Sequence, residues 1–408
     1  MPLSLKVFLA LGALLLGQGV VSLRGGYRFL RYLRRSLRTA PPDFHPPAAV
    51  MVPVKGLDPG LIASLDSLLS QDYPHFLLIV AVAIEEDPAY DYLKARLGSY
   101  RPQTGAGPRE TRLVVAGLTP ERGEKVNNLL AALRLVPAEV EVLVFADADG
   151  RPRAGWLRAL VGPLQDPAVT VSTGFRWYLP GSTLASRLRA AWDTSIATLL
   201  GDRRNPFAWG GSMAIRRAEF ERLQVAERYW AAAVSDDYAL TRAVRDAGGW
   251  IRFEPKCIVP SFEPITFMAF LRWTNRQIVI TRVYARHLWA WGLASHALFC
   301  GTMLLGLAAM ISPARAADRL LALAIEAAIL TLGIAKARLR ERAAQQALPQ
   351  EAGLLQRYGR SYWRLWPLVP WIMLINFVTA GWTKRIEWRG TCYELISPTE
   401  LRVLKPNE

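Results

Sequence analysis

Cysteine is scarce in this 408-residue chain. Cys257, Cys300 and Cys392 are odd in number and far apart, which argues against a disulfide framework and places the main folded region in a reducing compartment. The four histidines, His45, His75, His287 and His296, show no metal-ligand spacing. There is no internal repeat and no long low-complexity tract. Acidic residues are outnumbered, 34 against 50 Lys and Arg, for a formal net charge of +16. A balance this basic suits either nucleic acid or an anionic membrane surface. Zinc-finger spacing and aromatic RNA-binding signatures are missing. The arginines instead crowd beside apolar runs, as in Arg24, Arg28, Arg31, Arg34, Arg35 and Arg38. The expected partner is therefore a membrane and not nucleic acid.

Apolar residues are abundant, at 51% with 14 Trp, and they are unevenly spread. Leu3 to Leu23 forms a run with one charge, Lys6, near its start. Its length nearly crosses a hydrocarbon layer of about 30 Å. A signal peptide would carry its positive charge before the run. Here the charge follows, so the run reads as an anchor and the next segment as cytoplasmic, at a bacterial inner membrane. Further runs cover Leu288 to Ile311, Leu320 to Ala335 with Glu326 inside it, and Leu365 to Trp382 with Pro367 and Pro370. Three more full crossings would put the tail outside, against its Lys384, Arg385 and Arg389. Either the last run is a Pro-broken re-entrant or interfacial segment, or the tail is outside despite its charge. Glu326 is read as facing a helix neighbour or lying near an interface.

The middle of the chain alternates. Strands are expected at Ala48 to Val54, Phe76 to Ile84, Arg112 to Val115, Val140 to Ala146 and Ala168 to Thr173, with helices at Gly60 to Ser70 and Asn127 to Leu135. Strands separated by helices form a mainly parallel α/β sheet covered on both faces. Five regions follow: residues 1–40 as anchor and basic segment, 41–262 as the α/β domain, 263–287 as an interfacial helix, 288–385 as a transmembrane region and 386–408 as a tail.

In such sheets ligands lie beyond the carboxyl ends of the strands, and two acidic groups stand there. Asp147-Ala148-Asp149 ends a buried strand. Hard cations take oxygen ligands, and Mg²⁺ often takes only one or two carboxylates plus phosphate oxygens. Alone the triplet is a weak signal, strengthened by its position. Asp87 follows another strand, where it serves either a nucleoside or the start of the next helix, with Pro88 at the first position. Asp236 and Asp237 precede an amphipathic stretch. A carboxylate there is either a general base or a favourable charge at a helix start. Gly210-Gly211-Ser212 permits close approach of backbone to ligand and equally suits a turn.

In this order the motifs resemble the inverting ceramide glucosyltransferases of GT-A fold and their bacterial lipid-glycosylating relatives. Val52 to Pro59, with Lys55-Gly56-Leu57-Asp58, looks like the family's opening strand and turn. Gln71 to Pro74 looks like its Asp-Tyr-Pro segment. Glu86-Asp87-Pro88 matches its first acidic motif, Lys125 to Leu129 its Lys-x-Asn-Asn-Leu segment, and Asp147-Ala148-Asp149 its second acidic motif. Gly211-Ser212-Met213 with Arg216-Arg217 resembles the stretch near the sugar, and Asp237 aligns with the catalytic base. Arg272-Trp273 keeps the end of the polar-x-x-Arg-Trp motif, with Ala269 replacing the leading polar residue. Trp388-Arg389-Gly390 and Tyr393 resemble a tail motif.

The resemblance implies a GT-A domain with N- and C-terminal transmembrane helices. It would transfer one sugar from a nucleotide donor, expected to be UDP-linked, to a membrane lipid hydroxyl such as that of ceramide, diacylglycerol or a hopanoid. It implies Asp237, Asp236 and Arg272 as the catalytic set, with Arg272 facing the diphosphate. Donor binding falls to Lys55, Asp87, Lys125, Asp147, Gly211, Ser212, Arg272 and Trp273. Mg²⁺ or Mn²⁺ would sit on Asp147 and Asp149. A processive polysaccharide synthase and an inactive membrane scaffold are the competing functions.

Overall fold

In the computed structural model, residues 3–404 are described except 103–105, 203–205 and 312–314. In chain order the elements are α1 (Leu3–Arg38), β1 (Ala48–Pro53), α2 (Pro59–Leu69), β2 (Phe76–Val82), α3 (Tyr90–Gly98), β3 (Glu110–Val115), α4 (Glu124–Leu133), β4 (Val142–Ala146), α5 (Trp156–Val161), β5 (Val169–Tyr178), α6 (Leu184–Ala197), β6 (Ser212–Arg216), α7 (Arg217–Arg222), α8 (Asp236–Asp246) and β7 (Trp250–Ser261). Then come α9 (Phe267–Tyr284), α10 (Arg286–Ile311), α11 (Ala316–Ala347), α12 (Ala352–Tyr358), α13 (Ser361–Arg364), α14 (Val369–Trp382), β8 (Arg385–Trp388), β9 (Thr391–Ser397) and β10 (Glu400–Leu404). The chain divides into two compact units. One comprises Arg35–Trp177, Leu200–Glu263 and Lys384–Glu408; the other comprises Met1–Arg34, Tyr178–Leu199 and Pro264–Thr383.

The first unit holds a seven-stranded sheet of order β3-β2-β1-β4-β6-β5-β7. β1 pairs in parallel with β2 and β4, and β2 with β3. β6 runs antiparallel between β4 and β5, so the sheet is mostly parallel. β2, β4 and β5 are buried along their whole length. That is why β2 and β4 read as continuous apolar runs and not as alternation, whereas β5 buries Thr, Ser and Arg176 among its apolar residues. Leu61, Leu65 and Leu68 recur at helical spacing and bury the inner face of α2. Behind the end of β4, Phe145 packs edge-on against Trp230, with ring centroids 5.1 Å apart. Truncating it to Ala costs about 3–5 kcal/mol. β5 runs five residues past the expected Thr173, to Tyr178, because all ten of its residues stay buried. The same unit contains an antiparallel hairpin sheet, β10-β9-β8, from the tail.

The second unit is helical. Four segments are long and apolar enough to cross a membrane: Leu5–Arg38, Arg286–Ile311, Ala316–Ala347 and Ser361–Trp382. Gly12, Gly19 and Gly26, seven residues apart on α1, face Ile325, Leu332 and Leu339, equally spaced on α11. A Cβ on these glycines would lie 2.8, 2.9 and 3.1 Å from those side chains. Small residues at this repeat let helices meet closely, and the matching order makes α1 and α11 parallel. On α10, Gly306 leaves room for the Glu326 carboxyl and the Phe8 ring. Glu326 therefore faces helix neighbours. The Ser361–Trp382 stretch is broken by a 3₁₀ turn at Trp366–Leu368. Trp366 packs on Phe299, halfway along α10, with ring centroids 6.0 Å apart. Further on, Trp289 Nε1, near the start of α10, donates to the Phe377 carbonyl at 3.0 Å.

Candidate active site

The parallel strands bring their carboxyl ends to one edge, and the acidic residues gather there. Asp147 and Asp149 follow directly on β4. The register pairs Ala146 with Ser212, which sets Gly211 beside Asp147. A Cβ at Gly211 would collide with the Trp209 ring and lie 2.5 Å from Asp147 Oδ2. At Gly210 a Cβ would press on Asp236 and lie 2.8 Å from Lys125 Nζ. The Gly210-Gly211 pair is therefore a requirement of close approach.

Lys125, in the first turn of α4, donates to Asp147 Oδ1 at 2.8 Å and Asp236 Oδ1 at 3.0 Å. Burial works against its charge, but Asp147, Asp236 and Asp237 outweigh that and hold the ammonium above its ordinary value. One ammonium shared among several carboxylates leaves Asp236 under-compensated. Asp236 is 1% exposed, and its Oδ2 has no hydrogen-bond partner among the described residues. Burial first, then the nearby Asp237 and Asp147, push its carboxyl up to about 6 despite Lys125.

Asp237 sits differently. Ser235 caps α8, its hydroxyl accepting from Tyr238 N at 3.4 Å. Asp237 Oδ1 accepts from Tyr238 N at 2.7 Å and from the Ser235 hydroxyl, while Oδ2 accepts from Gly210 N at 3.2 Å. Its carboxylate is half-exposed and oriented by three donors, with no ion pair among the described residues. A proton acceptor has that geometry.

Two arginines complete the charge pattern. Arg176 projects from β5 and bridges the pair. Nη2 reaches Asp147 Oδ2 at 2.9 Å and also Asp149 Oδ1, and Nη1 reaches Asp149 Oδ2 at 2.9 Å. The Trp209 ring lies beneath the guanidinium at 5.4 Å. The second is Arg389, at the tip of the β8–β9 hairpin, where Arg389 and Gly390 have φ of 48° and 78°, the left-handed pair that a two-residue hairpin turn demands. Its Nη1 contacts Asp58 Oδ2 at 2.6 Å and the Lys55 carbonyl at 2.5 Å, and Nη2 lies 4.0 Å from Asp149 Oδ2. Burial favours a neutral Asp149, yet Arg176 and then Arg389 overcome it and hold the carboxyl well below the usual range. The hairpin is anchored further by Lys55 Nζ on Thr391 Oγ1 at 3.0 Å and by Glu124 N on Tyr393 Oη at 3.3 Å. Lys55 also pairs with Glu124 at 2.6 Å.

Asp87 holds the loop that carries Lys55. Both its oxygens accept from Gly56 N, at 2.9 and 3.0 Å, and Oδ1 accepts from Ala89 N at 2.8 Å. Ser212 is fully buried, accepting from Trp156 Nε1 at 2.8 Å and facing the Cys257 carbonyl at 3.4 Å. Arg272 and Trp273 belong to the helical unit, on α9. Arg272 is exposed, and Trp273 packs edge-on against Tyr178 and Trp192, each with centroids 5.2 Å away. Arg176 escaped sequence reasoning, although a charge inside a wholly buried strand was the available signal. Arg389 was noticed as a basic residue after the last apolar run and as part of a tail motif, not as a site residue.

Among the described residues no three His, Cys, Asp or Glu side chains form a metal cluster. Two carboxylates converging on one cation are nevertheless a donor set that fits Mg²⁺ or Mn²⁺, which bring their remaining oxygens from water and phosphate. The guanidinium of Arg176 is the cation they share here.

A mostly parallel sheet with a carboxylate pair after its central strand and a dense set of cations around that pair defines a nucleotide-sugar glycosyltransferase of GT-A fold. The chain belongs to glycosyl transferase family 21, which it matches over residues 18–401. Solved structures of similar fold include the mannosyltransferase PcManGT from Pyrobaculum calidifontis in complex with GDP-Man and Mn²⁺. It is 18% identical, with 91% of this chain and 99% of that one covered and a TM-score of 0.48. Another is glucosyl-3-phosphoglycerate synthase from Mycobacterium tuberculosis with Mn²⁺ and UDP-glucose. It is 16% identical, with 62% and 82% covered and a TM-score of 0.37.

Proposed function

We propose that this glycosyltransferase moves a single sugar, with inversion, from a nucleotide donor of the UDP-sugar type to the hydroxyl of a membrane lipid such as ceramide, diacylglycerol or a hopanoid. The observation that carries the reading is the meeting of Asp147, Asp149, Lys125, Arg176, Arg389 and Asp237 at one sheet edge in a chain with four membrane-length apolar segments. Asp237 takes the proton of the acceptor hydroxyl, whose oxygen attacks the anomeric carbon opposite the departing nucleoside diphosphate. Lys125, Arg176 and Arg389 hold the diphosphate charge, and Asp87 orders the Lys55-Gly56 loop toward the nucleoside. Gly211 admits the donor beside Asp147, on a floor that Ser212 ties down. Asp147 and Asp149 would hold Mg²⁺ or Mn²⁺, which supplies charge neutralisation to the diphosphate. Fixed charges in a site that excludes water supply the largest catalytic term.

In the bilayer, α1, α10 and α11 cross, and the Ser361–Trp382 stretch dips in and returns. The tail strands belong to the sheet unit, which supports an even number of crossings between them. The 14 residues of α14 extend about 21 Å, short of a hydrocarbon layer of about 30 Å. The basic end of α1 puts the sheet unit in the cytoplasm of a bacterial inner membrane.

The test is a donor screen with a membrane lipid extract, with divalent metal present or chelated, read by mass spectrometry. A lipid bearing one hexose or hexosamine, lost on chelation, is expected. A ladder of oligosaccharides would make the protein a polysaccharide synthase, and no transfer from any donor would make it a scaffold. For the topology, a membrane-impermeant thiol reagent should reach Cys392 only in inverted vesicles.

A further inference from the structure

The helical unit contains a second concentration of charge, of one sign. A cavity of about 570 Å³ between α6, α12 and α13 is lined by Arg187, Arg357, Arg360 and Arg364, together with Tyr358 and Ser361. No Asp or Glu is among its lining residues. Among the described residues Arg357, Arg360 and Arg364 make no salt bridge, and the carboxylate that acts on Arg360, Glu341, is shared with Arg338 and Arg342. Arg187 is held in place from behind. Its Nε donates to the Gly181 carbonyl and Nη2 to the Ser182 carbonyl, both at 2.9 Å, and its guanidinium lies 4.9 Å over the Tyr358 ring. Arg364 lies over Trp363 at 5.4 Å and Arg357 over Tyr358 at 5.2 Å. Stacking of this kind fixes guanidinium planes without using up their N–H donors.

Four like charges around one cavity repel one another unless an anion joins them. Guanidinium forks match the paired oxygens of a phosphate, and the Ser361 and Tyr358 hydroxyls add neutral donors. Leu184 and Leu365 give the lining an apolar share. Leu184 is 58% exposed, and Leu368, three residues past Leu365, is 49% exposed. A phosphate headgroup with acyl chains leaving over leucines has this mixed character, and juxtamembrane arginines are where anionic lipids collect.

We propose that the α6–α12–α13 cavity binds a phosphate group, presented by an anionic phospholipid. The neutral acceptors considered above carry no phosphate, so this ligand is a second lipid that seats the protein in the membrane and is not consumed. The inference holds whichever sugar or acceptor the sheet edge uses.

The test uses the full chain in detergent and in nanodiscs. Native mass spectrometry reads retained phospholipid after exchange into phosphatidylcholine with or without phosphatidylglycerol. Inorganic phosphate and glycerol phosphate serve as soluble probes in parallel. Wild type should retain phosphatidylglycerol, and the Arg357→Gln/Arg360→Gln variant should lose roughly tenfold or more in occupancy, the scale of one charged hydrogen bond. Arg187 is left intact because it holds backbone. Arg357→Lys/Arg360→Lys should fall in between, and thermal melting of all variants checks folding. The charge-matched control is Arg31→Gln/Arg35→Gln on α1. If it loses as much phospholipid as the cavity variant, binding follows bulk charge and the proposal falls. If the cavity variant loses neither phospholipid nor soluble phosphate, it falls too. Soluble phosphate binding with the same arginine dependence but no phosphatidylglycerol retention keeps the phosphate site and removes the lipid as its source.

Discussion

The two concentrations of charge in this protein are built on opposite plans. At the sheet edge Asp147, Asp149 and Asp236 each meet a cation, and those cations are shared among carboxylates. In the helical unit four arginines line one cavity with no carboxylate among the lining. The first arrangement gives each of these carboxylates a cation. On the function proposed above, Arg176 and Lys125 would yield carboxylate contacts to a metal ion and turn to the diphosphate, so that opposite charges stay together and the desolvation cost of the exchange stays low. The second arrangement stays electrostatically incomplete until something from outside supplies the anion. Self-neutralised charge suits a site that must load and unload each turnover. One-signed charge suits a ligand that stays.

Substitutions can break this comparison at several strengths. The largest loss is expected from Asp237→Asn, which keeps size and the bonds accepted by one oxygen, gives up those at the other, and removes the proton acceptor. Transfer should fall roughly 100- to 10,000-fold, with nucleoside diphosphate affinity by calorimetry unchanged. A change in affinity equal to the change in rate would mean that Asp237 binds donor instead. Next, Asp149→Asn should lower transfer roughly 100- to 1,000-fold and weaken Mn²⁺ binding measured by electron paramagnetic resonance. Unaltered Mn²⁺ affinity would remove Asp149 from the metal role. Arg389→Gly suits the positive φ of that residue and deletes only the guanidinium. About a tenfold loss of nucleoside diphosphate affinity is expected, the scale of one charge-assisted bond, with nucleoside affinity retained; equal loss of both would make the hairpin a scaffold. The smallest effect is on stability. Gly211→Ala forces a Cβ against Trp209 and Asp147, which costs about 1–3 kcal/mol by analogy with overpacking and is checked by thermal melting.

Much of the sheet was legible because β1, β2 and β4 are buried on both faces, so continuous Val, Ile, Leu and Ala runs mark them without ambiguity. The insertion of β6 antiparallel between β4 and β5 was not, since partner choice is a long-range matter that a five-residue strand does not encode. The same divide runs through the site. Asp147, Asp149 and Asp237 follow a strand or open a helix, positions where local pattern says where a side chain will stand, whereas Lys125 was marked only by the family resemblance. Arg176 takes its role from a strand that continues past its expected end. Arg389 takes its role from a hairpin that returns to Asp58 over more than three hundred intervening residues. Its local traces were a basic cluster and the Trp388-Arg389-Gly390 motif, neither of which says what it will meet. Asp236 and Asp237 looked interchangeable as adjacent letters. The turn of α8 separates them into a buried partner of Lys125 and a half-exposed carboxylate beside Gly210.

The closing of that hairpin over Lys55, Asp58 and Glu124 also sets an order of events in biosynthesis. The seven strands can pair once the ribosome has passed Ser261, but Arg389 emerges only after all four membrane-length apolar segments have been made. On the function proposed above, a newly made chain therefore lacks part of its donor site until those segments are complete.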